Sequence, residues 1–349
     1  MADLYKYGLN TPYLTIDKNI TLNEAFSNEC SAVVEEIQNL SDVGKIRYLH
    51  VTDIHIGASL DVNREMLLTS MVDVAKEISA DFILITGDVI TGATGNADVQ
   101  KSALLKLKNI FANCNIPVII SRGNHDDNSI QGLSEENIVF NPWWNWNMNH
   151  SINENANNFV FPTNSNGYFY VDIPSKKLRV VNINSSDLTD EERLSTGGQN
   201  YQIVSQEQLT WLSDTAFNVK DGWKIICACH VTPVTGMTHN LGIENKEELY
   251  AVLTTHKDKI IAFNCGHGHM STNYLDETTG IYFIMGNTCG GSTIKATSAP
   301  TGFGYSSVSE DAKTAYPTGA MLFDVCIVKQ DDTIEKVRFG AKDDLFQTS

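Results

Sequence analysis

Apolar residues change their spacing several times along this chain, and each change marks a different element. Leu22, Ala25, Phe26, Cys30, Val33, Val34, Ile37 and Leu40 recur at helical intervals. Thr21 followed by Glu24 has the form of a capping box, so a helix is expected to start there. Its wide apolar stripe needs a partner, either the body of the protein or another subunit. From Lys45 onward the pattern turns into short apolar runs at 46–51, 82–86, 118–121, 224–229 and 260–264, which read as buried strands. Helix-like runs at about 63–78 and 99–112 separate the first three. Such strand–helix alternation predicts parallel strands joined by right-handed crossovers. The expected division is an N-terminal helical arm, 1–44, and one large domain, 45–349.

Residues 127–166 interrupt this rhythm. They are rich in Asn and carry Pro142-Trp143-Trp144-Asn145-Trp146, with Phe140, Phe159 and Phe161 nearby. A long insertion of this kind reads either as a wall or lid over a pocket or as a small core of its own. Beyond it the pattern predicts strands at 168–173 and 178–184, a helix at 205–213 and, after a loop at 233–242, a helix at 245–256. Strands follow at 281–285, 320–328 and 333–339. The last two face each other across Lys329-Gln330-Asp331-Asp332, which predicts a C-terminal hairpin over 320–340. Residues 286–319 are rich in Gly, Ser and Thr and read as a long loop.

The chemistry lies where the five buried runs stop. They lead into Asp53-Ile54-His55, Gly87-Asp88, Gly123-Asn124-His125-Asp126, His230 and Gly266-His267-Gly268-His269. Strand ends rich in Asp, Asn and His place hard and borderline ligands at one sheet edge, where open sheets usually carry their sites. Carboxylate, imidazole and amide oxygen together suit Mn, Fe, Zn or Ni rather than Ca. Two such ions, about 3.5–4 Å apart, can hold both ends of a displacement at phosphorus. The bridging ligand must offer two oxygens, which Asp88 can do. His267 and His269 would share one face of an extended strand.

Bulk properties narrow the partners. The net charge is −17, from 42 acidic and 25 basic residues. A nucleic-acid polymer is therefore not expected as a ligand, because such binding draws on clustered Lys and Arg. A small phosphate ester remains compatible, since bound cations would make the site locally positive. The cysteine count is seven, odd and scattered, which fits a reducing compartment rather than a disulfide framework. Cys227, Cys229 and Cys265 flank the ligand blocks, yet their spacing fits core packing better than thiolate ligation. No apolar stretch is long enough to predict a transmembrane helix. No signal-peptide pattern is seen at Met1-Ala2-Asp3-Leu4-Tyr5-Lys6, so a cytoplasmic location is expected.

The order and wording of the five blocks resemble the calcineurin-like metallophosphoesterase family, over roughly residues 46–269. The resemblance implies an α+β sandwich of the metallo-dependent phosphatase type, with two packed mixed β-sheets flanked by helices. It assigns Asp53, His55, Asp88 and His269 to one metal ion, and Asp88, Asn124, His230 and His267 to the other. It implies a metal-bridging hydroxide as nucleophile. His125 would then contact a phosphoryl oxygen or protonate the leaving group, with Asp126 orienting it or tuning its charge.

Within the family, Gly87-Asp88-Val89-Ile90-Thr91-Gly92 lacks the Arg of the protein Ser/Thr phosphatases, and Thr91 stands where purple acid phosphatases have Tyr. The Asp-x-His and Gly-His-x-His pair is similar to the phosphodiesterase and cyclic-nucleotide phosphodiesterase-like branch. Arg338-Phe339-Gly340-Ala341 and the long N-terminal arm also look like bacterial and prophage members. The expected function is dinuclear-metal hydrolysis of phosphate esters, small phosphodiesters or monoesters. The rival readings are a structural or binding protein on the same fold, such as one in a phage particle, and a lipid-headgroup phosphodiesterase. An oligomer stays open.

Overall fold

A computed structural model describes residues 22–40, 44–56, 62–91, 97–112, 114–126, 158–162, 167–196, 201–237, 242–290, 305–308, 322–340 and 343–346. In the first half, helices α1 (Leu22–Gln38), α2 (Val62–Glu77) and α3 (Ala97–Phe111) alternate with strands β1 (Ile46–Val51), β2 (Phe82–Ile85) and β3 (Val118–Ile120). The second half is strand-rich. It contains β4 (Phe159–Val160), β5 (Phe169–Ile173), β6 (Leu178–Asn182), β7 (Lys224–Ala228), β8 (Ile260–Cys265), β9 (Ser271–Leu275) and β10 (Tyr282–Met285). Strands β11 (Tyr305–Val308), β12 (Leu322–Val328), β13 (Ile334–Gly340) and β14 (Asp343–Phe346) follow.

These strands make two mixed sheets. The first has the order β13-β12-β1-β2-β3 and the second β14-β11-β9-β10-β8-β7-β6-β5-β4. Strands β1, β2 and β3 run parallel, as the alternating pattern predicts. Strands β6, β7, β8 and β10 are likewise parallel to one another. Strand alternation splits the side chains between layers. Tyr48, Phe82, Leu84 and Ile119 of the first sheet meet Val180, Ile226, Ala228 and Ile284 of the second in an inter-sheet core. Their neighbours Leu49, Val51, Ile83 and Ile85 face the other way, onto α1, α2 and α3. Ile225, Cys227 and Phe263 face outward from the second sheet onto Leu209, Leu249 and Leu253 of its covering helices. The result is helices, sheet, sheet, helices.

Helix α1 packs Phe26, Val33 and Ile37 into the core shared with β1–β3, and Phe26 meets the Phe339 ring at 5.7 Å. From Phe26 on, its apolar stripe is thus covered from within the chain, while the capping residue Thr21 lies outside the described residues. So do the Trp cluster and most of the 127–166 insertion. The described stretch, 158–162, places Phe159 and Phe161 against Phe169 at the edge of the inter-sheet core.

Several elements differ from the expected ones. The long loop expected over 286–319 contains β11, and β9, β14, β4 and a short helix, Asp190–Thr196, have no counterpart in the sequence pattern. Sequences such as Ser-Thr-Asn-Tyr-Leu in β9 carry little apolar alternation, and main-chain pairing with β10 and β11 makes them strands. The helix expected at 205–213 is Gln206–Trp211 and continues as a π-turn, Leu212–Ala216. Of the seven cysteines, six are buried and Cys30 is partly buried, all as free thiols, which fits core packing. Among the described residues no helix is long and apolar enough to cross a membrane.

Candidate metal centre

The parallel strands of both sheets deliver their C-terminal ends to one place. Two cross-sheet hydrogen bonds set the separation there. The Tyr48 hydroxyl donates to Asn264 Oδ1 at 2.9 Å, and Ser121 Oγ donates to Asn182 Oδ1 at 2.6 Å. The loops leaving β1, β2, β3, β7 and β8 then carry the polar blocks into the seam between the sheets.

Local backbone conformation aims these side chains. Among the described residues nine non-glycines have positive φ, and five of them are Asp53, His55, Asp88, His267 and His269. Asp and His tolerate the left-handed region better than most residues, but it still costs about 1–3 kcal/mol each. Clustering of such residues at one spot is a mark of function. It also corrects the expectation for His267 and His269. They sit in left-handed turns rather than on a strand, so they do not share a face. Glycine is required where loops touch. A Cβ at position 123 would lie 2.2 Å from the Asp88 nitrogen and from Asp88 Oδ1, and one at 266 would lie 1.9 Å from Thr52 Oγ1.

The structure brings the ligand-type residues into two groups. Asp53, His55, Asp88 and His269 offer atoms that all lie within 4.8 Å of one another, and so do Asp88, His230 and His267. Asp88 belongs to both. Asn124 lies with the second group, its Oδ1 at 3.0 Å from both His230 Nε2 and His267 Nδ1. In the first group His269 Nε2 is 3.1 Å from Asp53 Oδ1, and His55 Nε2 is 3.8 Å from Asp53 Oδ1 and from Asp88 Oδ2. In the second, His230 Nε2 is 3.3 Å from Asp88 Oδ2.

The pattern of satisfied and unsatisfied atoms fits cations. Asp53 Oδ2 accepts from Thr52 Oγ1 and from the His267 N–H, and Asp88 Oδ1 accepts from the His125 N–H. The other oxygens, Asp53 Oδ1 and Asp88 Oδ2, are buried without a hydrogen bond, as is His267 Nε2. Buried polar atoms are normally paired, so atoms of this kind converging in one place suit an ion. His230 Nδ1–H donates to the Thr86 carbonyl at 2.7 Å, which leaves Nε2 as its ligand atom.

Electrostatics divides the imidazoles. Burial lowers His230, but the charge of Asp88 close by outweighs it and raises the ring to about 9. For His55 and His267 burial wins over the carboxylates, and they fall to about 4 and about 3. Burial pushes the Asp53 carboxyl up, yet His269 reverses this and brings it to about 2. Asp88 is likewise lowered against the effect of its own burial, chiefly by His230.

His125 and Asp126 sit beside these groups but not in the expected relation. The Asp126 carboxylate accepts from the Ile90 N–H at 3.0 Å and the Gly123 N–H at 2.8 Å. It is therefore a staple between two loops, and burial raises it to about 7. The His125 ring is held instead by the Thr91 carbonyl, which accepts from Nδ1–H at 2.9 Å. That leaves Nε2 as its working atom. Three holding groups were invisible in the pattern: the carbonyls of Thr86 and Thr91, and the hydroxyl of Thr52. The two carbonyls are main-chain acceptors, which leave no trace in residue type.

Comparison with known proteins agrees with this geometry. A family model for calcineurin-like phosphoesterases matches residues 46–271. Over 140 residues the chain is 28% identical to an uncharacterized protein of Schizosaccharomyces pombe, covering 40% of this chain and 24% of that one. The match thus spans about a quarter of that relative's length. A crystal structure of a dimetal phosphatase from Danio rerio is similar with a TM-score of 0.56 and 14% identity, covering 86% of this chain and 100% of that one. At that identity the likeness concerns the fold, two mixed sheets flanked by helices.

Proposed function

This chain belongs to the calcineurin-like phosphoesterase family, and on that premise we propose that it hydrolyses small phosphate esters, diesters or monoesters, at a centre holding two metal ions. The observation that carries the reading is Asp88, one buried carboxylate shared by two ligand groups, with an oxygen aimed at both and bonded to neither. Asp53, His55, Asp88 and His269 would hold one ion, and Asp88, Asn124, His230 and His267 the other. Bound ions of the Mn, Fe, Zn or Ni type would supply a water acidic enough to act as nucleophile near neutral pH, and charge to offset the phosphoryl oxygens.

The chain's own residues supply the rest. His230 is held by the Thr86 carbonyl in the tautomer that presents Nε2. His125 is held by the Thr91 carbonyl through Nδ1, so that Nε2 is the atom that would donate to a phosphoryl oxygen or to a leaving-group oxygen. Its ring meets His55 edge-on, with centroids 4.9 Å apart, so it lies beside the first group. Asp126 keeps the Gly123–Asp126 turn against Ile90 and so sets where Asn124 and His125 start. The net charge of −17 supports small esters over nucleic-acid polymers. A panel of phosphomonoesters, linear diesters and cyclic nucleotides, each with Mn, Ni or Zn, tests the proposal. Metal-dependent turnover of at least one class is expected. Two bound ions with no turnover of any class would leave the fold as a binding scaffold.

A further inference from the structure

Asp53 and His55 are both left-handed, and Ile54 stands between them. The N–H groups here are fixed by the neighbouring loop. Asp53 N donates to the Gly87 carbonyl at 3.0 Å, His55 N to the Asp88 carbonyl at 2.9 Å, and Ile56 N to the Val89 carbonyl at 2.8 Å. The carbonyls are fixed from elsewhere. The Asp53 carbonyl accepts from the Gly290 N–H at 2.9 Å and from Thr288 Oγ1 at 3.0 Å. The Ile54 carbonyl accepts from a charged side chain, Arg64 Nε, at 2.8 Å. The same guanidinium donates from Nη2 to the Gly290 carbonyl at 2.8 Å.

Three features set this arginine apart. It stands in the first turn of α2, where the helix dipole disfavours a cation and favours an acid. Its planar fork spans two main-chain carbonyls on loops far apart in sequence, which a point-charge lysine cannot do as well. The contact is also tight. A Cβ at position 290 would lie 2.0 Å from the Ile54 carbonyl oxygen and 2.4 Å from Arg64 Nε, so glycine is the residue that fits there.

We propose that Arg64 is a positioning residue for the Asp53–His55 ligand pair: its guanidinium locks the carbonyl between the two ligands and clamps the 288–290 loop against them. This inference rests on the two-ion reading above. Arg64 bonds to the main-chain carbonyls of Ile54 and Gly290. It acts through the backbone that sets the direction of both side chains. Loss of the clamp would loosen the Asp53/His55/Asp88/His269 group and leave the Asp88/His230/His267 group, whose rings are held by the Thr86 carbonyl and by Asn124, as it is.

The test is metal titration of the full chain after metal removal, by calorimetry with Mn²⁺ and with Zn²⁺, together with the melting temperature of the metal-free protein. Wild type is expected to take up two equivalents. Arg64→Met is expected to weaken one equivalent by about 10–100-fold, as loss of an orienting partner usually does, and to leave the other unchanged. Arg64→Lys should fall between, since an ammonium can still reach one carbonyl. Two equivalents with wild-type affinity in Arg64→Met overturn the inference. So does equal weakening of both equivalents with a matching fall in melting temperature, which marks a merely structural role. Should Arg64→Met not yield folded protein, Arg64→Lys carries the test: selective weakening supports the clamp and unchanged affinities overturn it. A wild type that binds neither ion overturns the metal reading itself, a result distinct from failure of the clamp.

Discussion

The two ligand groups share Asp88 but are built differently. In the group of Asp88, His230 and His267, every ring is buried and anchored. His230 leans on the Thr86 carbonyl, and the Asn124 amide oxygen stands 3.0 Å from both rings. In the group of Asp53, His55, Asp88 and His269, the rim is open, with the His269 side chain 20% exposed. There the Nε2 atoms of His55 and His269 face each other at 3.1 Å. Side-chain and main-chain acceptors hold His230 and His267 from behind. Left-handed turns carry residues of both groups, Asp88 and His267 in the one and Asp53, His55 and His269 in the other, but the Asp53/His55/His269 side has no counterpart of the Thr86 and Asn124 contacts to its rings among the hydrogen bonds described. The difference shows two ways of presenting ligands. His230 is oriented by what its ring touches, and the more open His269 by the turn it stands on.

The most severe way to break the comparison is to remove what both groups share. Asp88→Ala should cut model-ester turnover by roughly 10³-fold or more, since bound ions would supply several kcal/mol of charge stabilisation in the transition state. Elemental analysis should show fewer than two ions per chain. Retention of both ions would disprove the shared-carboxylate arrangement.

His125→Ala comes next. It should leave metal content intact and lower kcat by roughly 10²–10⁴-fold if the ring donates a proton. Wild-type kcat in this variant would remove His125 from the proposed chemistry, and lost metal would make it a ligand.

A smaller effect is expected at Asp126. Asp126→Asn keeps one oxygen for a backbone N–H but presents an NH₂ to the other. Stability should drop by about 1–3 kcal/mol, read from denaturant midpoints. The pH profile of kcat should stay in place, because Thr91 and not Asp126 holds the His125 ring. A shifted acid limb would restore the carboxylate–imidazole pairing that the sequence suggested.

The smallest effect separates the two groups by pH in the metal-free protein. His230 is raised from 6.5 to about 9, so its contribution to stability is fully present below 6.5 and fades as pH rises through 9. The melting-temperature gap between wild type and His230→Asn should therefore narrow from pH 6.5 to 9. His55 is lowered to about 4 by burial, so the unfolded chain takes up the proton first as pH falls. Wild type should lose stability between pH 6.5 and 4 relative to His55→Asn. Parallel curves for the two variants would mean that the groups do not differ electrostatically.

Much of this protein was legible in its residues because buried parallel strands are apolar throughout and stop abruptly. The runs at 46–51, 82–86, 118–121, 224–229 and 260–264 lie on β1, β2, β3, β7 and β8, and the polar blocks that follow them converge in the seam. The hairpin of β12 and β13 also matched, since its turn residues lie between two apolar runs. Edge strands were another matter. Ser271–Leu275 and Tyr305–Val308 carry mostly polar side chains, and their identity comes from main-chain pairing that no periodicity records.

The same division runs through the site. Residue type and order alone determined where side chains of metal-ligating type stand, at strand ends, because donor atoms and apolar spacing are properties of the chain itself. Only the tertiary structure decided how they are held. It put His267 and His269 in left-handed turns, gave the His125 ring to the Thr91 carbonyl, turned Asp126 into a backbone staple and set Arg64 across Ile54 and Gly290. The physical reason is that most of these contacts run to backbone carbonyls and N–H groups. Every residue has a backbone, so its partners are chosen by where the fold brings the chain and not by which residue stands there.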